Sequence, residues 1–549
     1  MIIPGPKKPK DINSFLRPLV DELIALENGQ ITAIDGDTGK EFVLRAHVLI
    51  VTADGPAAAD AMGMKSPGNA YRPCRMCTIS GVMRTDVKSP YYVPHTSYSL
   101  DSLPIRTNLR AHIDLVEVAN DDESRKLTGI RGKSELLRLK SIHFPRSFPG
   151  DIMHCVLQNI TPMLFQLWNG TKLSIDNQKA PNRMANEVCE DALSLPSYCL
   201  GKDDLSSIGD ALAQSRKTIP LSLGHAPRRI NNHYKGFKAA EWKAWLVHYG
   251  SPLLWKHLDE TYLANFRDLG TFYRLATAPA VSHDDVSQIA IIARNFVRCY
   301  EKIYYRNEQA RLPVCTVNIH SLLHFADWIT DCGPACYFWQ FPMERHCGDI
   351  KPMAKSKSKL DTSIANAVLL TEHLNHIQFV RSDFAGANLT LQDDLSYPWL
   401  ANPFRLEMTI QQCASLHQAR RKQAQSLQPH KRCHLSRLTT IGSRKSQVCS
   451  DTNRDDHRIV YHSMQNDSNK QQFGVVEFFA TATDEDGSDD WAYIATLTGE
   501  VRHRREQIVA VQKEGPHSWI RVEQIDGLIG LIKEGDAQFY MIVSDECLF

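Results

Sequence analysis

Apolar residues near the start of the chain recur at helical spacing. Phe15, Leu16, Leu19, Val20 and Leu23 form one stripe between Asp11, a helix-capping residue type, and Gly29, a helix terminator. Turn signals at Asp35-Gly36 and Thr38-Gly39 follow, and the β-branched run from Phe42 to Thr52 predicts a buried strand that ends at Asp54. Gly55-Pro56 then opens an alanine-rich helix. Residues near 78–145 are mixed and polar until Pro149-Gly150 breaks the chain. Beyond that break, Ile152, Val156, Leu157, Ile160, Met163, Leu164, Leu167 and Trp168 predict a strongly periodic helix that Gly170 terminates. From about 180 to 313 the pattern is mostly helical. Its aromatics (Trp242, Trp245, Tyr249, Trp255, Tyr262, Phe266, Phe272 and Tyr273) read as core rather than as base-stacking platforms.

The stretch from Val314 to Lys351 carries the densest pattern. A helical segment bears His320 and His324, the chain breaks at Gly333-Pro334, and an aromatic run follows (Tyr337, Phe338, Trp339, Phe341). A new helix starts at Pro342 with Glu344 in its first turn. A lysine-rich turn (Lys351, Lys355, Lys357, Lys359) then leads into a long amphipathic helix. Residues around 385–470 are polar and basic in patches, at Arg420-Arg421-Lys422, Lys431-Arg432 and Arg444-Lys445. That is the composition of a linker or a DNA-contacting arm. From Phe473 onward short alternating strands with acidic or Gly-rich turns predict a small, separate β-barrel or β-roll.

A chain of 549 residues is too long for one ordinary core, so two or three domains are expected. With 43% hydrophobic and 23% charged residues it has the make-up of a soluble globular protein. The net charge of +1 removes any global basic field, so a nucleic-acid surface has to be local. No run is apolar enough to span a bilayer, and MIIPGPKKPK lacks the apolar core of a signal peptide, so no membrane partner is expected. The 14 cysteines therefore read as reduced thiols plus a metal site, in a nuclear or cytoplasmic protein.

Four motifs carry candidate chemistry, each with a plainer structural reading beside it. Cys74 and Cys77 form C-x-x-C on a loop, half of a tetrahedral zinc site. The other half is either His320 with His324, whose i, i+4 spacing puts both imidazoles on one helix face, or Cys332 with Cys336. Asp54, at the carboxyl end of a strand, suits a metal-binding carboxylate and equally a helix N-cap. Asp151 and His154 form D-x-x-H at a helix start, where Asp151 caps and His154 packs if they have no chemical role. Glu344 is either a cation ligand beside a buried aromatic segment or a residue that favours its helix dipole.

Taken in order, four strings resemble the transposases of CACTA-type (En/Spm-like, Tnp2-like) DNA transposons of plants and fungi. They are IIPGPKKPKDINSFLRPLVDEL, VTADGPAAADAMG with NAYRPCRMC, FPRSFPGDIMHCVLQNITPMLFQLWNG, and HSLLHFADWITDCGPACYFWQFPMERHCGDIK. The resemblance covers roughly the first four hundred residues. It implies an α/β plus α fold: a ribonuclease-H-like DDE core, distantly similar to that of the V(D)J recombinase, with a large helical insertion and a small C-terminal all-β module. On this reading residues 1–80 are a partial core with the C-x-x-C loop, 81–313 the helical insertion, and 314–384 the zinc-ligand helix with the last catalytic-core helices. Residues 385–470 are a basic polar linker and 471–549 the β module.

The same resemblance assigns roles. Asp54 matches the second catalytic aspartate, Glu344 the third acidic residue, and Asp151 with His154 the family's C/D-x-x-H signature. Cys74, Cys77, His320 and His324 match a structural Zn²⁺ site. Asp54 and Glu344 would hold catalytic Mg²⁺ or Mn²⁺ for phosphodiester cleavage and strand transfer. The implied partners are transposon-end and target DNA and a second copy of the chain, in the nucleus. The family's first aspartate belongs on a strand upstream of the helix that begins near Asp11, whereas this sequence starts at Met1 directly before that helix. The expectation is an N-terminally truncated core, short of its first strands and one carboxylate, and inactive as given. The alternative is a decayed or domesticated relative that binds DNA or protein without cleaving. A third possibility, an unrelated zinc hydrolase using His320 and His324, predicts an open zinc position.

Overall fold

A computed structural model describes residues 9, 11–85, 90–106, 109–119, 121–173, 197–219, 227–355, 359–380, 399–403, 406, 408–434, 440–441, 444, 457–462, 471–503, 508–534 and 538–543. The chain is mixed α/β and forms two compact units. One combines Met1–Cys199 with Leu258–Leu389, and the other combines Leu200–His257 with Thr390–Phe549. The helical stretch read from sequence is thus shared between them. No helix among the described residues is long and apolar enough to cross a membrane.

The first unit begins with the expected amphipathic helix, Asn13–Glu27. Its stripe of Leu16, Val20, Leu23 and Ile24 packs on Met62, Met64, Ile113, Ile130, Leu136 and Phe148. Glu27, buried at the helix end, accepts the backbone N–H groups of Lys140 (3.0 Å) and Ser141 (2.7 Å). Burial opposes its charge, but those two donors win and hold its carboxyl down to about 2.

Strands β1 (Ile31–Ile34) and β2 (Glu41–Leu44) form an antiparallel hairpin. Here the chain departs from the pattern read in its sequence. The run from Phe42 to Thr52 is a strand only as far as Leu44, and that strand is exposed. Among the described residues β2 pairs with β1 alone, so no second neighbour continues the sheet and covers the run. Leu49 is left 71% exposed, and the chain is next tied down where Val51 N–H donates to Ser147 O (2.8 Å). The helix Gly55–Ala61 then starts with Asp54 as its N-cap.

The periodic helix after Gly150 is present and fully used. Met153–Ile160 is wound as a π-helix and continues as an α-helix over Thr161–Trp168. Pro162 has no N–H to give the carbonyl one turn back, and the wider π turns precede it. Val156, Leu157, Ile160, Leu164, Leu167 and Trp168 are completely buried. Trp168 Nε1 donates to Tyr304 Oη (2.9 Å) and its ring meets Phe266 edge-on at 5.3 Å. Helices Glu260–Thr277 and His283–Tyr300 pack together and carry this aromatic core toward Phe325–Cys332.

The second unit is built on an antiparallel sheet of nine strands: β3 (Trp399–Pro403), β4 (Ser426–His434), β5 (Thr440–Ile441), β6 (Arg458–His462), β7 (Gln471–Asp484), β8 (Gly487–His503), β9 (Ile508–Arg521), β10 (Ile525–Glu534) and β11 (Gln538–Val543). The order β7-β6-β10-β11-β9-β8 closes on itself because β8 also pairs with β7. Closure removes the edges along that ring, and β4 extends it from β7 with β3 and β5 beside it. Strands β3–β6 lie inside the stretch whose composition suggests a linker. Helix Lys202–Gln214 belongs to the same unit, and Leu531 N–H donates to Thr218 O (3.1 Å). Basic side chains expected to be available to DNA are paired within it: Arg420 with Asp484 and Asp489, Lys422 with Asp484 and Asp486, Arg444 with Glu477 and Glu514. Lys445 lies outside the described residues, as does Lys357. Trp242, Trp245 and Tyr249 here, and Tyr262, Phe266, Phe272 and Tyr273 in the first unit, are buried as core.

Glu301 is an unfavourably buried charge in the first unit. It is 2% exposed, and both its oxygens accept the His95 backbone N–H (2.8 and 2.9 Å). Burial raises its carboxyl from 4.5 to about 8, outweighing that hydrogen bond. Because the folded chain binds this proton more tightly than the unfolded chain, stability falls as pH rises through that interval. Glu301→Gln keeps an acceptor for His95 and removes the charge. Urea melts of the variant should show a flatter pH dependence between 4.5 and 8, and a gain on the order of 1 kcal/mol or more at the upper end.

Candidate functional site

Among the described residues, one constellation of metal-ligating side chains joins two distant segments of the first unit. Cys74 and Cys77 sit on a loop, His320 in the helix Val317–Ser321, and His324 in the 3₁₀ turn Leu322–His324 that continues it. All four are buried, and their ligand atoms lie within 4.8 Å of one another. Cys74 Sγ is 3.4 Å from His324 Nε2, Cys77 Sγ is 3.2 Å from His320 Nε2, and the two Nε2 atoms are 3.1 Å apart. A tetrahedral zinc ion with bonds of about 2.0–2.1 Å to nitrogen and about 2.3 Å to sulfur sets these separations near ~3.3 and ~3.6 Å. The donor set therefore fits zinc within a few tenths of an ångström.

The protonation pattern points the same way. Burial opposes ionisation of Cys74, but the Cys77 hydrogen bond and the His324 and His320 charges outweigh it and carry the thiol well below its usual range. Cys77, buried beside that thiolate, is pushed up. Burial lowers His324, but the Cys74 charge and Asp327 win and raise it to about 9, whereas burial pulls His320 down. A divalent cation in place of the protons on these buried groups would let both sulfurs ionise. Asp327 Oδ2 lies 3.9 Å from His324 Nδ1, on the ring nitrogen facing away from the cluster. Cys332 and Cys336, the other pair considered, are elsewhere: their sulfurs face Arg146 O and Ala278 O.

Beside this cluster is a cavity of about 350 Å³ whose wall includes Asp54, Arg75, Asp151, His154, Cys155 and Trp328. Asp54 Oδ1 caps its helix by accepting the Ala57 N–H at 2.7 Å. Asp151 is 5% exposed and takes several donors. Its Oδ1 accepts the N–H groups of Met153 (3.1 Å) and Gln340 (3.0 Å), and its Oδ2 accepts the His154 N–H (3.1 Å) and pairs with His154 Nδ1. The Gln340 bond reaches the residue that precedes helix Phe341–Ile350, so D-x-x-H fixes where the Glu344 helix begins. His154 Nε2 then lies 3.6 Å from Glu344 Oε1. Burial lowers the His154 pKa, but Asp151 first, with Asp54 and Glu344 behind it, raises it overall.

The structure thus brings Asp151, His154 and Glu344 into one chain of contacts and sets Asp54 on the wall of the same cavity. Glu344 itself is well exposed, with 58% of its side chain in solvent. Among the described residues, no group of three His, Cys, Asp or Glu besides the Cys2His2 cluster lies close enough to hold a metal ion. Asp54 and Glu344 do not by themselves make a two-ion site, and the residues present do not fit the implied Mg²⁺ or Mn²⁺ pair. The sequence reading missed the Gln340 amide and Asp327. Neither lies at a motif spacing that would single it out.

Zinc analysis of the purified chain should find one ion per molecule bound by this cluster. Cys74→Ser or His320→Ala should cut that content to below about a tenth and lower the melting temperature by about 10 °C or more. Cys332→Ser should change neither. Full zinc occupancy in Cys74→Ser would show that the ion is held elsewhere.

Residues 1–129, which include Asp54, Cys74 and Cys77, match the family model described as transposase family tnp2. No curated protein matches the chain. The match covers 129 of the chain's 549 residues and is a likeness of that segment to a transposase family.

Proposed function

We propose that this chain is a transposase-like protein of the CACTA type, acting on transposon-end DNA in the nucleus through a ribonuclease-H-like DDE core. The observation that carries the reading is the convergence of Asp54, Asp151 and His154 on one cavity with Glu344 tied to His154, in a chain whose first 129 residues match a transposase family. Among the described residues Asp54 and Glu344 do not group with a third ligand close enough to share a Mg²⁺ or Mn²⁺ ion. The chain's own part is positioning. Asp151 orients His154, whose Nε2 lies 3.6 Å from the exposed Glu344 carboxylate. The zinc cluster holds the Cys74–Cys77 loop and the His320–His324 helix, and neighbours of both segments line the cavity.

A second reading is binding without cleavage. It is favoured by one observation: the described carboxylates do not assemble into a group of three.

One experiment separates the two readings. The zinc-loaded chain is incubated with duplexes carrying the terminal repeats of its own element, with Mg²⁺ or Mn²⁺, and nicking and gel retardation are measured together. Nicking that falls by about 10²-fold or more in both Asp54→Asn and Glu344→Gln supports the catalytic reading. Retardation without nicking under either ion supports the binding reading. Neither retardation nor nicking would sink both.

A further inference from the structure

Arg75 stands between the two cysteine ligands, and its guanidinium reaches the wall of the carboxylate cavity. The polar groups around that wall are engaged with one another. Lys65 Nζ pairs with Asp122 (2.9 Å), Asn159 Nδ2 donates to His154 O (2.6 Å), and Ser321 Oγ donates to Val317 O (2.8 Å). Arg75 Nη2 donates to Pro149 O at 3.1 Å. Two donors on the same wall find no acceptor and no solvent: Arg75 Nη1 and Trp328 Nε1. Neither group can accept a hydrogen bond, so only an acceptor would satisfy either one.

The two are held together by design of the backbone. Arg75 lies over the Trp328 ring, 5.4 Å from its centroid. The ring occupies the space a side chain at 150 would need, since a Cβ on Gly150 would sit 2.2 Å from Trp328 Cζ3. The adjoining Asp151 starts the D-x-x-H helix, so the stacked pair and the carboxylate face the cavity from adjacent positions. A buried guanidinium with an unmet N–H, backed by an unmet indole N–H, is a setting for an oxyanion.

We propose that Arg75, with Trp328 beside it, binds a non-bridging phosphate oxygen of the nucleic-acid backbone inside this cavity. The zinc loop then has a second role, because Cys74 and Cys77 fix the backbone on either side of the residue that grips the phosphate. Arg75 is a positioning and binding residue for a phosphodiester rather than a ligand of the zinc. The inference rests on the reading of the cavity as the place where the chain meets DNA phosphate.

Inorganic phosphate is the probe. Its ³¹P resonance is titrated with the full-length zinc-loaded chain in Mg²⁺, and line broadening gives the affinity. The wild-type chain should broaden the signal saturably, and Arg75→Gln should weaken binding about tenfold or more while zinc stays at one per chain. Arg75→Lys keeps the charge without the planar fork and should fall between the two. If Arg75→Gln loses its zinc and folds poorly, Arg75→Lys decides: affinity weakened about threefold or more supports the assignment, and unchanged affinity overturns it. Equal binding by zinc-replete Arg75→Gln, or no saturable binding by the wild type, also overturns it. Phosphate binding through Arg75 in a chain that never nicks DNA keeps this inference and removes the catalytic reading. Nicking by a chain whose phosphate affinity ignores Arg75 does the reverse.

Discussion

The first unit depends on a four-way contact between two thiols and two imidazoles that no water reaches. All four polar groups are buried together, and a single divalent ion would balance the charge of both thiolates. With an ion bound, the cluster would tie together segments far apart in sequence. Everything near the cavity hangs from one side of it or the other. The C-x-x-C loop supplies the Arg75 wall, and the His320–His324 turn leads directly into the helix that carries Trp328.

Asp151 is the second organising residue, and its work is mostly backbone work. Its two oxygens collect amide donors from its own helix start and from Gln340, in addition to the His154 ring. A carboxylate buried to this degree is costly unless such donors surround it. One side chain thereby sets the register between two helices whose functional residues, His154 and Glu344, have to meet. The spacing D-x-x-H states the first half of this arrangement and says nothing of the second.

Local periodicity in the sequence was enough to read the helices at Asn13–Glu27 and around Ile152–Trp168, because each buries one face and is bounded by residues with fixed conformational preferences. The metal cluster was legible as two half-motifs: spacing left His320 with His324 and Cys332 with Cys336 both open, the family resemblance assigned the histidines, and the fold brings those to the cysteines. The run from Phe42 to Thr52 misled for a physical reason. Its β-branched composition specifies a strand wanting neighbours on both sides, and composition cannot report whether they are present. The basic patches misled in a related way. Arg420, Lys422 and Arg444 look like free positive charge in one dimension, but a closed sheet returns the acidic turn Asp484–Asp489 to meet two of them. The Asp151–Gln340 bond was beyond reach because it joins a side chain to an amide, and amides carry no sequence signature.

The separation of the metal ligands has a consequence during synthesis. His320 and His324 follow their cysteine partners by 243 and 250 residues. At about 5–20 residues per second, Cys74 and Cys77 wait roughly ten to fifty seconds on a ribosome before their histidines exist. During that interval the two thiols are a bare, unpaired dithiol open to oxidation or to capture of a wrong metal. An environment that keeps thiols reduced and is poor in competing soft ions would protect the nascent chain over that interval, whatever the finished protein does.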